Sequence, residues 1–198
     1  MSEESQNNRY EQQKLSAVKA AAAEFAEHGY HGASTKAIAA RMGVQQGSLY
    51  YYFKSKEDAL LAVCLFGIRD YASRMREIAA NAQPFEAKLL ATISSHLSSY
   101  RSTNEALKVY NAERLYLSAE KRANLKELGS MYRELLESIF DEAIRDAAIH
   151  DNVDCHFAAQ TVIGMCNAWG ELIVRDPELD IFELTQKCTN LLLRGFGK

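Results

Sequence analysis

Prolines and runs of β-branched residues are scarce in this chain of 198 residues. The prolines are Pro84 and Pro177 alone, so the residue that most strongly breaks helices is missing from long stretches. Strands would need alternating runs of Val, Ile and Thr, which the chain lacks. Because 47% of the residues are hydrophobic, a sizeable core can form. The sequence therefore predicts an all-α protein of one or two domains.

Long hydrophobic runs are missing as well. No stretch approaches the length that a membrane-spanning helix needs. The polar opening MSEESQNNRYEQQK also lacks the apolar core of a signal peptide. We expect a cytoplasmic protein with no membrane partner.

Cysteine is rare and widely spaced, and Cys64, Cys155, Cys166 and Cys188 form no CxxC pair. This spacing favours reduced, partly buried thiols over a zinc site or a disulfide framework. Cys155 has a histidine beside it, but adjacent residues on a helix point in different directions. We expect no metal and no cofactor, and a thiol that senses redox state stays open as an alternative.

Catalytic motifs are absent too. The chain has no nucleophile elbow, no phosphate-binding loop, no HExxH pair and no close pair of carboxylates, and its histidines are scattered. We expect that it is not an enzyme and has no catalytic residues.

The stretch Ser34–Phe53, STKAIAARMGVQQGSLYYYF, has the pattern of two short helices joined by a glycine turn. Apolar spacing starts the first helix near Thr35, with Ser34 placed to cap it. Gly43 allows the turn, and a second helix starts near Gln45 with its apolar side toward the first. The polar residues left on its outer side are Gln45, Gln46, Ser48 and Tyr51. A helix-turn-helix protein inserts that side into the major groove of DNA.

Acidic residues are missing from residues 31–56, although the whole chain has a net charge of -3. The basic residues of this segment are Lys36, Arg41, Lys54 and Lys56. Counterion release from a phosphate backbone would favour its binding to such a local positive surface. Gly47 has no Cβ, which suits close approach of a partner to the backbone. The alternative from spacing alone is a solvated polar surface on an ordinary helical hairpin.

The segment from Leu15 to Leu61 resembles the N-terminal domain of TetR-family transcriptional regulators. The matching features are Phe25-Ala26-Glu27-His28-Gly29-Tyr30, Ser34-Thr35, Ile38-Ala39, Gly43-Val44, Gly47-Ser48-Leu49-Tyr50, Phe53 and Ser55-Lys56-Glu57. So many motifs at set spacings are specific to the family. Two positions depart from it, because Gln45 stands where a small capping residue is usual and Ala37 where an acid is common.

The resemblance implies a DNA-binding site and assigns its residues. The candidates are Thr35, Lys36, Gln45, Gln46, Gly47, Ser48, Tyr50, Tyr51, Lys54 and Lys56. Phosphate contacts are carried over onto Thr35, Tyr50 and Lys56, whereas base reading falls to the outer residues of the second helix. A glutamine amide matches an adenine edge, so we expect some A·T content in each half-site.

Helical periodicity and breaks predict about nine helices. The bounds are about 10–28, two short helices from 35 and 45, 56–81, 84–101, 104–116, 119–149, 154–175 and 180–195. We predict a flexible tail over residues 1–9, a three-helix DNA-binding domain over 10–55, and a ligand-binding and dimerisation domain over 56–198. Helix 4 joins the two domains without a flexible linker.

A ligand cavity in the body is expected from the family, with a mostly hydrophobic effector. Polar or aromatic side chains that are candidates to line it are His96, Tyr100, Tyr110, Asn111, Arg114, Tyr132, Asn167 and Trp169. The alternative for each is a surface residue or a satisfied core residue. The body faintly resembles that of TetR-type regulators which respond to acyl-CoA thioesters.

Self-association is the second expectation for the body, because family members bind near-palindromic operators as symmetric dimers. The last two helices are the best candidates. Their stripes are Phe157, Thr161, Gly164, Ala168 and Leu172 on one, and Ile181, Leu184, Cys188 and Leu191 on the other. An intramolecular core would explain the same stripes. We expect a homodimeric repressor released from DNA by a small effector, with a helical protein-binding adaptor as the alternative from another class.

Overall fold

The computed structural model describes residues 3–102 and 104–196, with side chains from 7 to 102 and from 105 to 195. Within these residues the chain forms nine α-helices. They are α1 (Glu3–Gly32), α2 (Thr35–Arg41), α3 (Gln46–Leu49), α4 (Lys56–Ala80), α5 (Phe85–Ser102), α6 (Asn104–Glu113), α7 (Ala119–Arg145), α8 (Cys155–Arg175) and α9 (Ile181–Phe196). A 3₁₀ turn, Arg114–Tyr116, follows α6. The predicted all-α fold with an N-terminal helix-turn-helix is confirmed.

Capping side chains account for several helix starts. Ser34 accepts a hydrogen bond from the Ala37 amide at 3.1 Å, and Asp154 accepts one from the Phe157 amide at 2.9 Å. Asp180 does the same before α9, accepting from Glu183 at 3.1 Å. Each cap satisfies an amide that has no partner within its helix.

Four helix ends differ from prediction. Helix α1 extends to Gly32, past the predicted residue 28, although Gly29 takes a non-helical φ of 69° and kinks it there. Helix α6 ends at Glu113 rather than at residue 116, where the 3₁₀ turn follows it. Helix α1 begins at Glu3 rather than Tyr10, because residues 3–9 contain neither Gly nor Pro and start with acids that suit the positive end of a helix. The predicted tail therefore has helical residues, and residues 1 and 2 lie outside the described part. Helix α7 ends at Arg145, before the predicted residue 149, and Ala147 takes a φ of 55°.

One compact unit comprises residues 3–68 and 105–125. Its buried side chains include Phe25, Ile38, Leu49, Phe53, Leu60 and Val63. Helices α4 and α6 approach closely, because a Cβ added at Gly67 would lie 3.0 Å from the carbonyl oxygen of Ala106. The helix-turn-helix thus shares a core with α6 and the first part of α7.

The second unit comprises the described residues of 69–104 and 126–198. Helix α5 packs against α8 and α9 there. The buried side chains of this second unit include Leu89, Ile93, Leu97, Leu136, Phe140 and Val162. Helix α4 contributes residues to both units. The limits of 10–55 and 56–198 drawn from the sequence stay a prediction. Among the described residues, we find no helix with the length and apolar character that a membrane crossing requires.

Candidate functional site

The α2–α3 turn is built by local backbone geometry. Gly43 takes a φ of 68°, a left-handed conformation that costs a residue with a Cβ free energy. Its amide donates to the carbonyl of Ala40 at 3.0 Å, and the next amide, of Val44, donates to Ala39 at 3.0 Å. These bonds end α2 and redirect the chain into α3.

Arg41 holds α2 against α1. Its guanidinium donates to Glu24 at 2.7 Å and to Glu27, and the Glu24 side chain is buried. The hydrogen bond from Arg41 holds the pKa of Glu27 below its usual value, and the same carboxylates raise the pKa of Arg41. The charge of Arg41 is therefore neutralised within the chain and is not part of the local positive surface inferred from the sequence.

The outer side of α3 is open to solvent. Gln45, Gln46, Gly47 and Ser48 are all exposed, whereas Leu49 is buried beneath them. Gln45 occupies the N-cap position without a capping hydrogen bond from its side chain. Gln46 instead donates from Nε2 to Oγ1 of Thr35 at 2.9 Å, which ties the start of α3 to the start of α2. An added Cβ at Gly47 would meet nothing within 4 Å, so packing inside the chain does not demand this glycine.

The four aromatic residues that follow α3 differ in burial and in partners. Phe53 is buried, and Tyr52 donates its hydroxyl to Oε1 of Gln13 at 3.1 Å while stacking on Tyr10 at 6.1 Å between ring centroids. Tyr50 and Tyr51 are 52% and 72% exposed. The Tyr51 ring also packs edge-on against Tyr10 at 5.7 Å. The hydroxyl-bearing surface therefore belongs to Tyr50 and Tyr51, supported from α1.

The candidate lysines have different surroundings. Lys36 and Lys54 are exposed. Lys56 instead donates to the carbonyl of Ala33 at 2.9 Å, and its ammonium lies 4.6 Å from the ring centroid of Tyr30. Its charge supports the loop before α2, so a contact with phosphate would compete with these partners.

A set of charged residues that the sequence did not single out joins α4 to α7. Lys121 lies 3.0 Å from Glu57 and 2.7 Å from Asp58, and we call these three residues the α4–α7 clasp. The amide of Ser118 also donates to Glu57 at 2.7 Å and, with Lys121, holds the pKa of Glu57 below its usual value. Sequence reasoning missed the clasp because 61 to 64 residues separate Glu57 from these two partners.

Four predicted ligand residues meet in one place in the second unit, and we call them the His96 cluster: His96, Tyr100, Tyr132 and Asn167. Nδ1 of His96 lies 3.0 Å from the Tyr132 hydroxyl, and Nε2 lies 3.1 Å from Oδ1 of Asn167. Tyr100 donates to the same Oδ1 at 3.0 Å. Burial lowers the pKa of His96 to about 4, so the imidazole is neutral at physiological pH.

Helix α4 borders the His96 cluster. The Tyr71 ring lies edge-on to the imidazole at 4.8 Å, and its hydroxyl donates to the carbonyl of His96 at 3.3 Å. Arg74, one turn further along α4, donates to the hydroxyls of Ser95 and Ser99 at 2.8 and 2.6 Å. Any group that enters the cluster therefore has to accommodate α4.

The other four predicted ligand residues have surroundings of their own. Tyr110, Asn111 and Arg114 belong to the first unit, where Arg114 donates to the carbonyls of the other two at 3.1 and 2.6 Å. Trp169 lies on the outer side of α8 beside a groove of about 220 Å³ whose remaining lining comes from residues 179–191.

The outer faces of α8 and α9 carry exposed apolar side chains. Phe157 and Leu172 of the predicted α8 stripe are 68% and 44% exposed. On α9 the prediction needs correction, because Leu184 and Cys188 are buried within the chain. Among the described side chains of α9, Phe182 and Leu191 are the large apolar ones that are exposed.

The four thiols are poorly suited to redox sensing, which requires a thiolate. Burial raises the pKa of Cys64 to about 12 and that of Cys155 to about 11, and it raises the pKa of Cys166 and Cys188 as well. In the described part of the chain, no three His, Cys, Asp or Glu side chains are grouped so that they could hold a metal ion.

Comparison with known proteins finds two matching family models. The model described as bacterial regulatory proteins, tetR family, matches residues 17–63, and the one described as tetracyclin repressor-like, C-terminal domain, matches residues 82–196. The fatty acid metabolism regulator protein of Bacillus subtilis (strain 168) is 28% identical over 182 residues, which cover 90% of this chain and 92% of that protein. The HTH-type transcriptional repressor KstR2 of Rhodococcus jostii (strain RHA1) is 29% identical over 139 residues, covering 70% of this chain and 68% of the relative.

Solved structures of other regulators have a similar fold over most of this chain. FadR from Bacillus subtilis in complex with stearoyl-CoA has a TM-score of 0.78 at 28% identity, covering 91% of this chain and 98% of that one. PfmR from Thermus thermophilus has a TM-score of 0.83 at 22% identity, covering 90% and 97%, which is a likeness of fold. The relatives are named as regulators of transcription or metabolism, so the expectation that the chain is not an enzyme is confirmed.

Proposed function

This chain belongs to the TetR family of bacterial transcriptional regulators, and from that premise we propose that it is a homodimeric repressor, released from a near-palindromic operator by an acyl-CoA thioester. The observation that carries the proposal is the outer side of α3. Gln45, Gln46, Gly47 and Ser48 face solvent there, in a segment without acidic residues. A major groove accepts such a helix.

DNA contacts divide into two kinds in this proposal. Gln45, Gln46 and Ser48 read base edges, with Tyr51 beside them, because amides and hydroxyls can pair with donors and acceptors in the major groove. Lys36, Lys54 and Tyr50 contact phosphates, since their charges or hydroxyls are exposed next to α3. Thr35 and Lys56 already have partners within the chain, so their phosphate contacts require a second bond or an exchange.

Dimerisation through α8 and α9 explains their exposed apolar side chains. Phe157, Leu172, Phe182 and Leu191 are large apolar residues at the surface of one protomer. Burying such a patch against a second copy removes apolar area from water, and a two-fold dimer matches a palindromic operator. Gly164 and Ala168 on the same face of α8 allow close approach of the partner helix.

An acyl-CoA thioester is favoured as effector for two reasons. FadR from Bacillus subtilis, a relative over almost the whole chain, has been crystallised with stearoyl-CoA. The His96 cluster also consists of neutral hydrogen-bonding groups in a buried setting, and an uncharged thioester carbonyl loses less solvation free energy on burial there than a carboxylate does.

Release from DNA follows in this proposal from a shift of α4. Tyr71, in the second half of α4, borders the His96 cluster, while Glu57 and Asp58 in its first turn belong to the α4–α7 clasp. An effector that fits the body better when α4 is displaced moves the equilibrium toward that state, and a coupling of about 1–3 kcal/mol is usual for such a switch.

The first test is binding of the purified protein to DNA upstream of its own gene, at several salt concentrations, with and without acyl-CoAs of different chain length. Specific binding that weakens steeply with salt and is abolished by one acyl-CoA is expected. Specific binding that no acyl-CoA affects would reject the effector class alone. If specific binding were absent both from this DNA and from a selection of random DNA sequences, the proposal that the chain is a sequence-specific repressor would be rejected.

A further inference from the structure

Two neighbouring hydroxyls at the start of α2 have different tasks. Ser34 caps the helix by accepting from the Ala37 amide at 3.1 Å. Thr35, the first helical residue, is therefore not needed as the cap, and its Oγ1 accepts from Nε2 of Gln46 at 2.9 Å. This bond joins the first residues of α2 and α3, 11 positions apart in the chain.

The bond determines which groups of Gln46 remain for a partner. A glutamine amide has two N–H donors and one carbonyl acceptor. With one N–H bound to Thr35, the carbonyl oxygen and the second N–H stay free on an exposed side chain. An adenine edge in the major groove presents the complementary pair, the N6 amino donor and the N7 acceptor.

The bond also reduces the disorder of the side chain before DNA arrives. A free glutamine loses rotamer freedom when it is ordered on a base, and a side chain that is already oriented loses less. Gln45, in contrast, has no capping bond from its side chain to orient it. Of the two glutamines, Gln46 is therefore the one whose side chain is preorganised for contact with a base.

We propose that Thr35 is a positioning residue for sequence recognition, whose hydroxyl holds the Gln46 amide in the orientation that selects adenine in each half-site. This inference rests on the proposed function, since it requires that α3 reads DNA. It differs from a phosphate contact by Thr35, which would strengthen binding to every sequence equally.

The test compares Thr35→Val, which keeps the shape of the side chain but loses the hydroxyl, with Thr35→Ser, which keeps the hydroxyl. Sequences bound by the wild type are first selected from random DNA, and affinities are then measured on the best operator and its single-base variants. Thr35→Val is expected to lose about fivefold or more of the adenine preference at one position per half-site, and Thr35→Ser is expected to keep most of it. In a Gln46→Ala background, Thr35→Val should not change base preference further.

A measurement without DNA guards against a variant that merely folds poorly. In nuclear magnetic resonance spectra of the free protein, the side-chain amide protons of Gln46 should be shifted and slowed in exchange in the wild type and in Thr35→Ser, but not in Thr35→Val. Thermal unfolding of each variant is followed by circular dichroism.

The outcomes separate the two claims. If the wild type selects no sequence at all, the proposed function fails, and this inference with it. If the wild type selects an operator but Thr35→Val weakens every single-base variant equally, Thr35 contacts phosphate and only the positioning role is overturned. If Thr35→Val changes base preference in the Gln46→Ala background as much as it does in the wild type, the positioning role is overturned as well.

Discussion

Replacing Gly170 by Ala should loosen the packing of α5 against α8. A Cβ built at Gly170 lies 2.2 Å from Cε2 of Tyr100 and 2.3 Å from its Cζ. Tyr100 is buried, and its hydroxyl donates to Asn167 at 3.0 Å, so the ring cannot move aside without disturbing the His96 cluster. The added methyl group therefore has to displace an aromatic ring in a packed interior.

The magnitude follows from three contributions. Overpacking of this kind costs about 1–3 kcal/mol, and a weakened Tyr100–Asn167 hydrogen bond adds about 1 kcal/mol. Alanine is the better helix former, which offsets about 1 kcal/mol. We expect the free energy of unfolding to fall by about 1–3 kcal/mol, with a drop of about 2–4 °C in Tm for each kcal/mol.

Thermal unfolding at one protein concentration measures the effect, and Gly129→Ala on α7 is the matched control. Nothing lies within 4 Å of a Cβ at Gly129, so this change should stabilise the protein by about 0.5–1 kcal/mol. A Gly170→Ala protein as stable as the control would refute the reasoning. The reasoning would also be refuted if Gly170→Ala lowered the free energy of unfolding by as much in a Tyr100→Ala background, where the obstructing ring is gone.

Further predictions concern pH, DNA affinity and assembly. The pKa of His96 is lowered to about 4 from an ordinary value near 6.5, so the unfolded state binds the proton first and stability falls as pH drops from 6.5 to 4. The loss attributable to this side chain reaches about 3 kcal/mol, and denaturant titrations of His96→Gln should show a flatter dependence over that range; an unchanged slope would contradict burial of a neutral imidazole. Lys54→Ala should weaken binding to all operator variants alike and lower the salt slope by about 1, whereas Tyr50→Phe should weaken binding with the slope unchanged, and a change of base preference in either would argue against phosphate contacts. Phe182→Glu combined with Leu191→Glu should yield a folded monomer in sedimentation experiments, and a dimer of unchanged affinity would exclude this face as the interface.

Local patterns were sufficient to predict most of the fold. Helices α4, α5, α8 and α9 begin and end within one or two residues of the predicted bounds, because apolar periodicity, capping side chains and the two prolines act within a few residues of each other. The turn at Gly43 followed from the same kind of signal. Family motifs then identified the helix-turn-helix, since their spacings lie within one short segment.

The candidate site was predicted less completely. Gln45, Gln46, Gly47 and Ser48 are exposed as expected, because the side of a short helix opposite its apolar residues faces solvent. Residue type alone indicates the ligand candidates, and it does not determine which side chains meet in the folded chain. Four of them form the His96 cluster, whereas Trp169 lies on the surface and Arg114 is bound to the carbonyls of its own segment.

The sequence by itself determined the helices, the turn, the family and the outer side of α3, because these depend on neighbours along the chain. Only the tertiary structure decided how the charges are used: Arg41 is neutralised by Glu24 and Glu27, Lys56 supports a loop, and Lys121 clasps α4. It also decided that Gln46 is oriented by Thr35. These partners are 11 to 64 residues apart, and hydrogen bonds and ion pairs act over a few ångströms in space whatever the separation along the chain.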